Sequence, residues 1–328
     1  MTRKLFMILA SVYCVMSTHA ASFEVNGIYY ESIDDSTAIV VPGSEKYTGS
    51  VVIPDVVTYS GTQYKVTAIG ESTFAYCDNM QAIIIGNNVS VIGEKAFLGC
   101  DKLTAVDFPQ SLTSIGGYAF SFCHGLEAID IPSSVTSLGE CCFAQCTNAS
   151  SLKIGSGVTT IPLNAFHLCT NLTSVVIPEN VSVISNYAFM DCNRLSSVVI
   201  RSVAISIDGA RVFDSCSALD SLIFDESVRT IRSSSFCLGN QTNVISLAKY
   251  PPVCEGDTSP FAGVSPYCVL YVPKGRTADY RVAKGWAGQF RAVDEIADPG
   301  HSANCDVNGD GVVDIADVTL VIKSALAK

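Results

Sequence analysis

The sequence predicts a repeat solenoid, a fold in which short units of fixed length stack around one continuous core. Eight phenylalanines recur every 23 residues, with one step of 24: Phe74, Phe97, Phe120, Phe143, Phe166, Phe189, Phe213 and Phe236. A cysteine follows seven of them at the third place: Cys77, Cys100, Cys123, Cys146, Cys169, Cys192 and Cys216. A period in the twenties is typical of solenoids, because one unit is too small to bury its own apolar side.

Each unit also contains a short alternating segment that predicts a strand. Leu103, Val106 and Phe108 recur as Leu126, Ile129 and Ile131, and again in later units. The last two members of each set are two residues apart, so both point to the same face of a strand. The stretch from Gly93 to Cys100 is rich in Gly and Ala and favours a tight turn or a single helical turn. We therefore expect about eight coils of about 23 residues, mainly β with short helical turns.

One complete unit reads Val89-x-x-Ile92-Gly93-x-x-Ala96-Phe97-x-x-Cys100-x-x-Leu103-x-x-Val106-x-Phe108-Pro109. This frame resembles the BspA-like type of the leucine-rich repeat family. The resemblance implies a leucine-rich repeat solenoid. For function it implies a surface protein that attaches to host extracellular matrix proteins or to other cells.

The N-terminal 20 residues are typical of a secretory signal peptide. Arg3 and Lys4 precede an apolar run from Leu5 to Val15, and Thr18-His-Ala20 offers a small-residue cleavage site. The run is too short to span a bilayer, and no later stretch is long and apolar enough to do so. We therefore expect a secreted or cell-surface protein with no transmembrane segment.

Four further regions follow from changes in the repeat pattern. Residues 21–65 alternate in period two between turn residues and predict an N-terminal β cap, and residues 66–247 form the solenoid. Residues 248–297 leave the period and predict a C-terminal cap, because solenoid ends must be covered to stay soluble. Residues 298–328 combine a linker with a calcium loop and a helix.

The C-terminal region carries the spacing of a twelve-residue, EF-hand-like calcium loop. Oxygen side chains stand at positions 1, 3, 5, 9 and 12, with Gly311 at position 6 for the sharp turn. The predicted ligands of one Ca²⁺ are Asp306, Asn308, Asp310, Asp314, Asp317 and the carbonyl of Val312. The apolar residues that follow in the predicted helix are Val318, Leu320, Val321, Ile322 and Leu326. Loop and helix together resemble half of a dockerin, which implies a cohesin-like partner, but a dockerin has two such halves.

The cysteine column allows free thiols, a ladder of disulfides or a metal array. Stacking holds equivalent Cβ atoms about 4.8 Å apart, whereas a disulfide needs about 3.8 Å. One thiolate per coil gives no tetrahedral metal cluster. We therefore expect free, packed thiols in the column. Outside it, Cys141 is expected to be exposed, and Cys254 and Cys268 either form a disulfide or stay free.

The outward strand positions form two rows that predict a binding face. One row consists of small residues: Ala82, Ala105, Ala128, Ser151, Ser174, Ser197 and Ser221. The other, which we call the variable lane, consists of Ile84, Asp107, Asp130, Lys153, Val176, Val199 and Ile223. An apolar stretch such as Val176, Val199 and Ile223 on an exposed face marks a contact site. The alternative is a solvated sheet face with tolerated β-branched residues.

No catalytic motif is present, and the sequence predicts a protein that is not an enzyme. Asp107 and Asp130 have the separation of a glycosidase pair, but they fall on an open sheet without a cleft. The formal charge of -11 argues against nucleic acid or an anionic membrane as a partner, because both require a basic face on the protein. The interpretation is an exported protein that adheres through its solenoid. The alternative is a non-catalytic component of an extracellular polysaccharide-degrading assembly, attached through its dockerin-like tail.

Overall fold

The computed structural model describes residues 21–296, except 209–210, 234–235, 237, 239–241, 257–258 and 262–263. The predicted signal peptide (1–20) and the predicted linker and calcium loop (298–328) lie outside the described residues. In the described part the chain consists of strands and turns, with one short helix, α1 (Thr277–Val282).

The N-terminal region forms the hairpins that its period-two pattern predicts. Its strands are β1 (Ser22–Val25), β2 (Ile28–Ser32), β3 (Thr37–Val41), β4 (Gly49–Ile53), β5 (Val56–Tyr59) and β6 (Thr62–Ile69). The pairs β1–β2, β2–β3 and β5–β6 are antiparallel. The pair β3–β6 is parallel, so the hairpins join the solenoid through a shared sheet.

The repeats add two short strands per coil. In chain order they are β7 (Met80–Ile85), β8 (Val91–Ile92), β9 (Ala105–Asp107), β10 (Ser114–Ile115), β11 (Ala128–Asp130), β12 (Ser137–Leu138), β13 (Ser151–Lys153), β14 (Thr160–Ile161), β15 (Ser174–Ile177), β16 (Val183–Ser185), β17 (Ser197–Ile200), β18 (Ala204–Asp208), β19 (Ser221–Phe224), β20 (Thr230–Ser233), β21 (Asn243–Ser246), β22 (Val253–Glu255), β23 (Val269–Val272) and β24 (Ala292–Glu295).

These strands stack into a front face and a back face. The front strands pair in the orders β4-β7-β9, β11-β13 and β15-β17-β19-β21-β23-β24. The back strands pair in the orders β1-β2-β3-β6-β8-β10-β12 and β14-β16-β18-β20-β22. Pairing between coils is parallel and places equivalent repeat positions side by side, as in Val176↔Val199 and Val199↔Ile223. The predicted leucine-rich repeat solenoid is confirmed in this respect.

The recurring phenylalanines form a stacked column inside the coils. From Phe74 to Phe213, each ring lies 4.8 to 5.9 Å from the next, with interplanar angles of 19° or less. All of these rings are buried. Stacking at this spacing adds an aromatic contribution to the burial of apolar area, so the column holds neighbouring coils in register.

The Gly- and Ala-rich stretch of each coil is a run of turns and not the helical turn that the sequence allowed. In the coil of Phe97, Lys95 and Gly99 have φ values of 56° and 70°. The amides of Lys95, Phe97 and Gly99 donate to carbonyls of the next coil, at 2.8, 2.7 and 2.8 Å. Because alternate amides point to the neighbouring coil, they cannot close the bonds of a helix. The helical turn was wrong for this reason.

The cysteine column consists of free, buried thiols, as predicted. Each thiol from the second coil onward also donates to a backbone carbonyl of the preceding coil. The Cys100 Sγ lies 3.1 Å from the Phe74 carbonyl, and the Cys146 Sγ lies 3.3 Å from the Phe120 carbonyl. The thiols therefore serve both as small apolar groups and as weak donors between coils.

Four cysteines outside the column, Cys141, Cys142, Cys254 and Cys268, also form no disulfide. Cys254 and Cys268, for which a disulfide was one of two alternatives, are not bridged. Cys141 was predicted to be exposed and is buried, so that prediction was wrong. A hydrogen bond between the Cys141 thiol and Tyr118 raises the pKa of the Tyr118 hydroxyl. The tyrosine of the preceding coil thus lies against a position that the repeat pattern alone places at the surface.

The parallel pairing continues beyond Leu247 into the region predicted as a C-terminal cap. Strand β20 pairs with β22, β21 with β23, and β23 with β24. The Trp286 indole donates to the Pro252 carbonyl at 2.9 Å, and the Tyr280 hydroxyl donates to the Ala248 carbonyl at 2.9 Å. Phe261 stacks on Phe236 at a ring separation of 5.6 Å and contacts the tilted Trp286 ring at 4.6 Å. This region therefore extends the sheet and the aromatic column.

Adjacent glycines in one coil provide a test of how closely the coils approach. A Cβ atom at Gly116 would lie 2.6 Å from the Glu94 backbone nitrogen, whereas the nearest atom to one at Gly117 would be 3.4 Å away. We expect Gly116→Ala to lower the free energy of unfolding by about 2 kcal/mol through overpacking. Gly117→Ala should change it by less than about 1 kcal/mol. Urea unfolding of both variants measures these changes. Equal losses in the free energy of unfolding would contradict the close approach of the Gly116 backbone to the preceding coil.

Candidate binding surface

The front face carries the variable lane because its strands alternate strictly. In β17, Val198 and Ile200 join the main core, and Val199 points to the opposite side. In β19, Leu222 and Phe224 join the main core, and Ile223 points away. Pairing extends the lane in both directions, to Val52 beside Ile84 and to Ile245 beside Ile223. The lane is thus a continuous row on the outer side of the front sheet.

The structure divides the predicted lane into an exposed part and a buried part. Ile84 is 61% exposed, and Asp107, Asp130 and Lys153 are exposed as well. Val176 is half-buried. The row of small residues changes in the same way, because Ala105, Ala128 and Ser151 are exposed whereas Ser197 and Ser221 are buried.

Two residues predicted as exposed contact positions are not accessible. Val199 and Ile223 are 2% and 0% exposed, so their placement on an open binding surface was wrong. Both belong to a second apolar cluster with Ile245, separate from the main core. Strand alternation correctly assigns them to the outer side of the sheet. It does not show what lies over that side.

The structure adds Val52 to the exposed part of the lane. Val52 is 53% exposed and pairs with Ile84, so the two form an apolar patch at the N-terminal end of the front face. Sequence reasoning assigned Val52 to the cap. The segment Val51-Val-Ile53-Pro54 matches the repeat segment Val175-Val-Ile177-Pro178, which is the signal that identifies it as a front strand.

Charged side chains follow this apolar patch along the lane. The Lys153 Nζ lies 3.3 Å from the Asp130 Oδ2, and both side chains are largely in solvent. An exposed pair of this kind contributes about 0–1 kcal/mol to stability. Its main effect is therefore to present mixed charge beside Val52 and Ile84, while Asp107 lies between the patch and the pair.

The described residues show where the titratable groups considered for catalysis lie. His124 Nδ1 is 2.8 Å from Asp101 Oδ1, and His167 Nε2 is 3.3 Å from Asp191 Oδ2. Both pairs join neighbouring coils at repeat positions away from the front lane.

A groove of about 660 Å³ lies beside the N-terminal hairpins, and its lining contains no Asp, Glu, His, Lys or Cys. That the protein is not an enzyme stays a prediction.

The predicted calcium ligands Asp306, Asn308, Asp310, Val312, Asp314 and Asp317 all lie outside the described residues. Within residues 21–296, no group of three or more His, Cys, Asp or Glu side chains is placed to hold a metal ion. The helix present in this part of the chain is too short and too polar to cross a membrane.

Fold and surface together define a class, a parallel β-solenoid whose candidate site lies on the outer side of its front sheet. The chain matches the family model described as BspA type leucine rich repeat region (6 copies), over residues 67–196 and 147–251. These ranges cover more than half of the 328 residues. The chain therefore belongs to the BspA type leucine-rich repeat family.

Solved structures of bacterial leucine-rich repeat proteins are similar to this chain. The T. pallidum leucine rich repeat protein TpLRR is 25% identical, with 61% of this chain and 91% of that chain covered and a TM-score of 0.54. A Bacteroides ovatus leucine-rich repeat protein is 20% identical, with 82% and 99% covered and a TM-score of 0.42. The T. pallidum structure supports the repeat fold. No curated protein matches this chain.

Proposed function

We propose that the protein is exported to the cell surface or secreted, and that it adheres to other proteins through the exposed part of the variable lane. The observation that carries this proposal is the apolar pair Val52 and Ile84, 53% and 61% exposed on an open front face. Adjacent exposed apolar side chains, bordered by charged residues such as Asp107 and Lys153, are typical of a protein contact surface.

The surroundings of this patch favour an extended partner. The flanking row contains Ala82, Ala105, Ala128 and Ser151, which leave the strand backbone uncovered by large side chains. A flat strip of this kind accommodates a partner segment lying across the coils. Membership of the BspA type family agrees with a surface protein-binding role. The partner class we propose is a host extracellular matrix protein or a protein on another cell.

A matched pair of variants tests whether the patch carries binding. Ile84 in β7 and Val253 in β22 are both aliphatic strand residues that are 61% exposed, but they lie on the front and back faces respectively. We expect Ile84→Asp to weaken binding to an immobilised matrix protein at least about tenfold, as loss of an apolar anchor does. Val253→Asp should leave affinity unchanged. Surface plasmon resonance with the mature chain measures both.

The outcomes of this binding experiment distinguish adhesion through the solenoid from attachment to an extracellular assembly through residues 298–328. Equal effects of the two substitutions would contradict a front-face site. Binding to no matrix protein or glycan, together with capture of a cohesin-bearing partner, would move the function to residues 298–328. The repeats would then act as a scaffold.

We also propose that residues 306–317 bind one Ca²⁺. The support is the ligand spacing, with Asp306 and Asp317 at the first and last loop positions. Asp306→Asn should weaken calcium binding to the mature chain more than about tenfold, because a charged ligand oxygen is lost. Asp298→Asn, outside the loop, should have no effect. Isothermal titration calorimetry checks this, and calcium binding that survives Asp306→Asn would contradict the assignment.

A further inference from the structure

One stretch of the variable lane is buried although it lies on the outer side of the front sheet. Val199, Ile223 and Ile245 are 2%, 0% and 2% exposed. Ile84 occupies the equivalent position of an earlier coil and is 61% exposed. Strand geometry is the same in both places, so the difference requires something that lies over the later coils.

The apolar neighbours of these three residues lie in strands of the same sheet or directly after them. The side chains that pack against the three residues are Val176, Leu247, Tyr271 and Ile296. Val176 and Tyr271 are members of the same lane, in β15 and β23. Side chains that stand beside each other on one sheet face shield each other's flanks and leave their tips open. A further surface over these tips would complete the burial of the three residues.

We propose that the cover is the C-terminal segment of the same chain, docked through one face of its predicted helix. At the helical period, Ile315, Val318, Ile322 and Leu326 fall on one face, and Asp317 and Ser324 fall on the opposite face. A helix with such a stripe needs an apolar partner surface. The buried part of the lane supplies aliphatic side chains and small serines of matching character.

Length and connection agree with this assignment. The lane from Val176 in β15 to Tyr271 in β23 crosses four strand spacings, about 19 Å. The twelve residues from Ile315 to Leu326 make a helix about 18 Å long. Ile296, the last described residue, already packs against the buried cluster. The chain thus leaves the sheet at the edge of the surface that it would cover.

Docking of this kind limits the open binding surface to the early coils. The lane from Val52 to Lys153 stays available, whereas the lane from Val199 to Ile245 is occupied by the protein itself. The inference does not rest on the proposed adhesion, because it concerns the covered half of the lane. An adhesin and a scaffold would both show it.

Photo-crosslinking in the mature chain tests the contact directly. We expect p-benzoylphenylalanine in place of Ile322 to crosslink to peptides that contain Val199, Ile223 or Ile245. The same probe in place of Leu320, which the helical period turns away from the stripe, should crosslink to these peptides much less. Mixing isotopically light and heavy protein distinguishes docking within one chain from contact with a second copy.

Light–light crosslinks to the buried lane would support the proposal. Mixed light–heavy crosslinks, or crosslinks to other surfaces, would overturn it. A second pair of variants does not depend on the probe: Ile322→Asp should increase binding of an apolar dye, and Leu320→Asp should not. Both positions lie outside the solenoid, and circular dichroism verifies that the strands persist. A folded Ile322→Asp variant with unchanged dye binding would also overturn the proposal.

Discussion

Raising the pH above 9 is expected to unfold the protein steeply under reducing conditions. Burial raises the pKa of the Cys142, Cys146 and Cys192 thiols and raises that of Cys169 to about 12. The pKa of Cys100 is raised by a hydrogen bond with the Cys123 thiol and then by burial. In the unfolded chain these thiols ionise near pH 8.5.

The sign of the pH dependence of stability follows from the number of protons bound by the folded and by the unfolded chain. At about pH 7, well below the unfolded pKa, all five thiols are protonated whether the chain is folded or not, so their stabilising contribution is complete. Between pH 9 and the folded pKa values, only the unfolded chain releases these protons, and stability is lost as the pH rises. Each thiol contributes at most about 1.4 kcal/mol per pH unit, the slope reached when it is ionised in the unfolded chain and protonated in the folded one, so five contribute at most about 7 kcal/mol per unit. A loss of this size is comparable to the whole stability of a typical domain.

Urea unfolding at successive pH values from 7 to 11, followed by far-UV circular dichroism, measures this slope. Cys169→Ala should make the slope shallower by about 1.4 kcal/mol per pH unit, because one titrating group is removed. A free energy of unfolding that stays constant to pH 11 would contradict the assignment of these thiols as buried and protonated.

Truncation of one ring in the stacked column should produce the largest effect of a single substitution. Phe143 stacks on Phe120 at 5.2 Å and on Phe166 at 5.9 Å, and it is fully buried. We expect Phe143→Ala to lower the free energy of unfolding by about 3–5 kcal/mol through lost burial and a cavity between coils. The control is Phe122→Ala, because the Phe122 ring is partly exposed. This substitution should lower the free energy of unfolding by less than about 1 kcal/mol.

Urea unfolding again measures both variants, and the shape of the transition adds a second criterion. Coils of a solenoid are stabilised by their neighbours, so a weakened middle coil should broaden the transition or separate the two ends. A Phe143→Ala variant within 1 kcal/mol of the unsubstituted protein would show that the column does not couple the coils.

The repeat pattern was sufficient to predict most of the fold. The 23-residue period placed each phenylalanine and column cysteine inside, and the structure buries them. Strand alternation separated Val198 and Leu222, which face the core, from Val199 and Ile223, which face outward. These features are local, because they depend on side-chain direction along one short strand and on repetition of that strand.

Two features outside the binding surface were decided by tertiary structure. Parallel pairing continues through β22, β23 and β24, although the sequence period has ended there, because backbone bonds between coils do not require a repeated side chain. Cys141 is buried by contacts that its own repeat position does not encode.

The candidate binding surface shows most clearly which properties the sequence predicts and which depend on tertiary structure. By itself the sequence determined that Ile84 and Ile223 occupy equivalent outward positions of a stacked sheet. Only the tertiary structure decided that Ile84 is open and Ile223 is closed, at 61% and 0% exposure. The physical reason is that alternation along a strand sets the direction of a side chain, whereas its accessibility depends on what else packs over that face, which can be a segment distant in the chain.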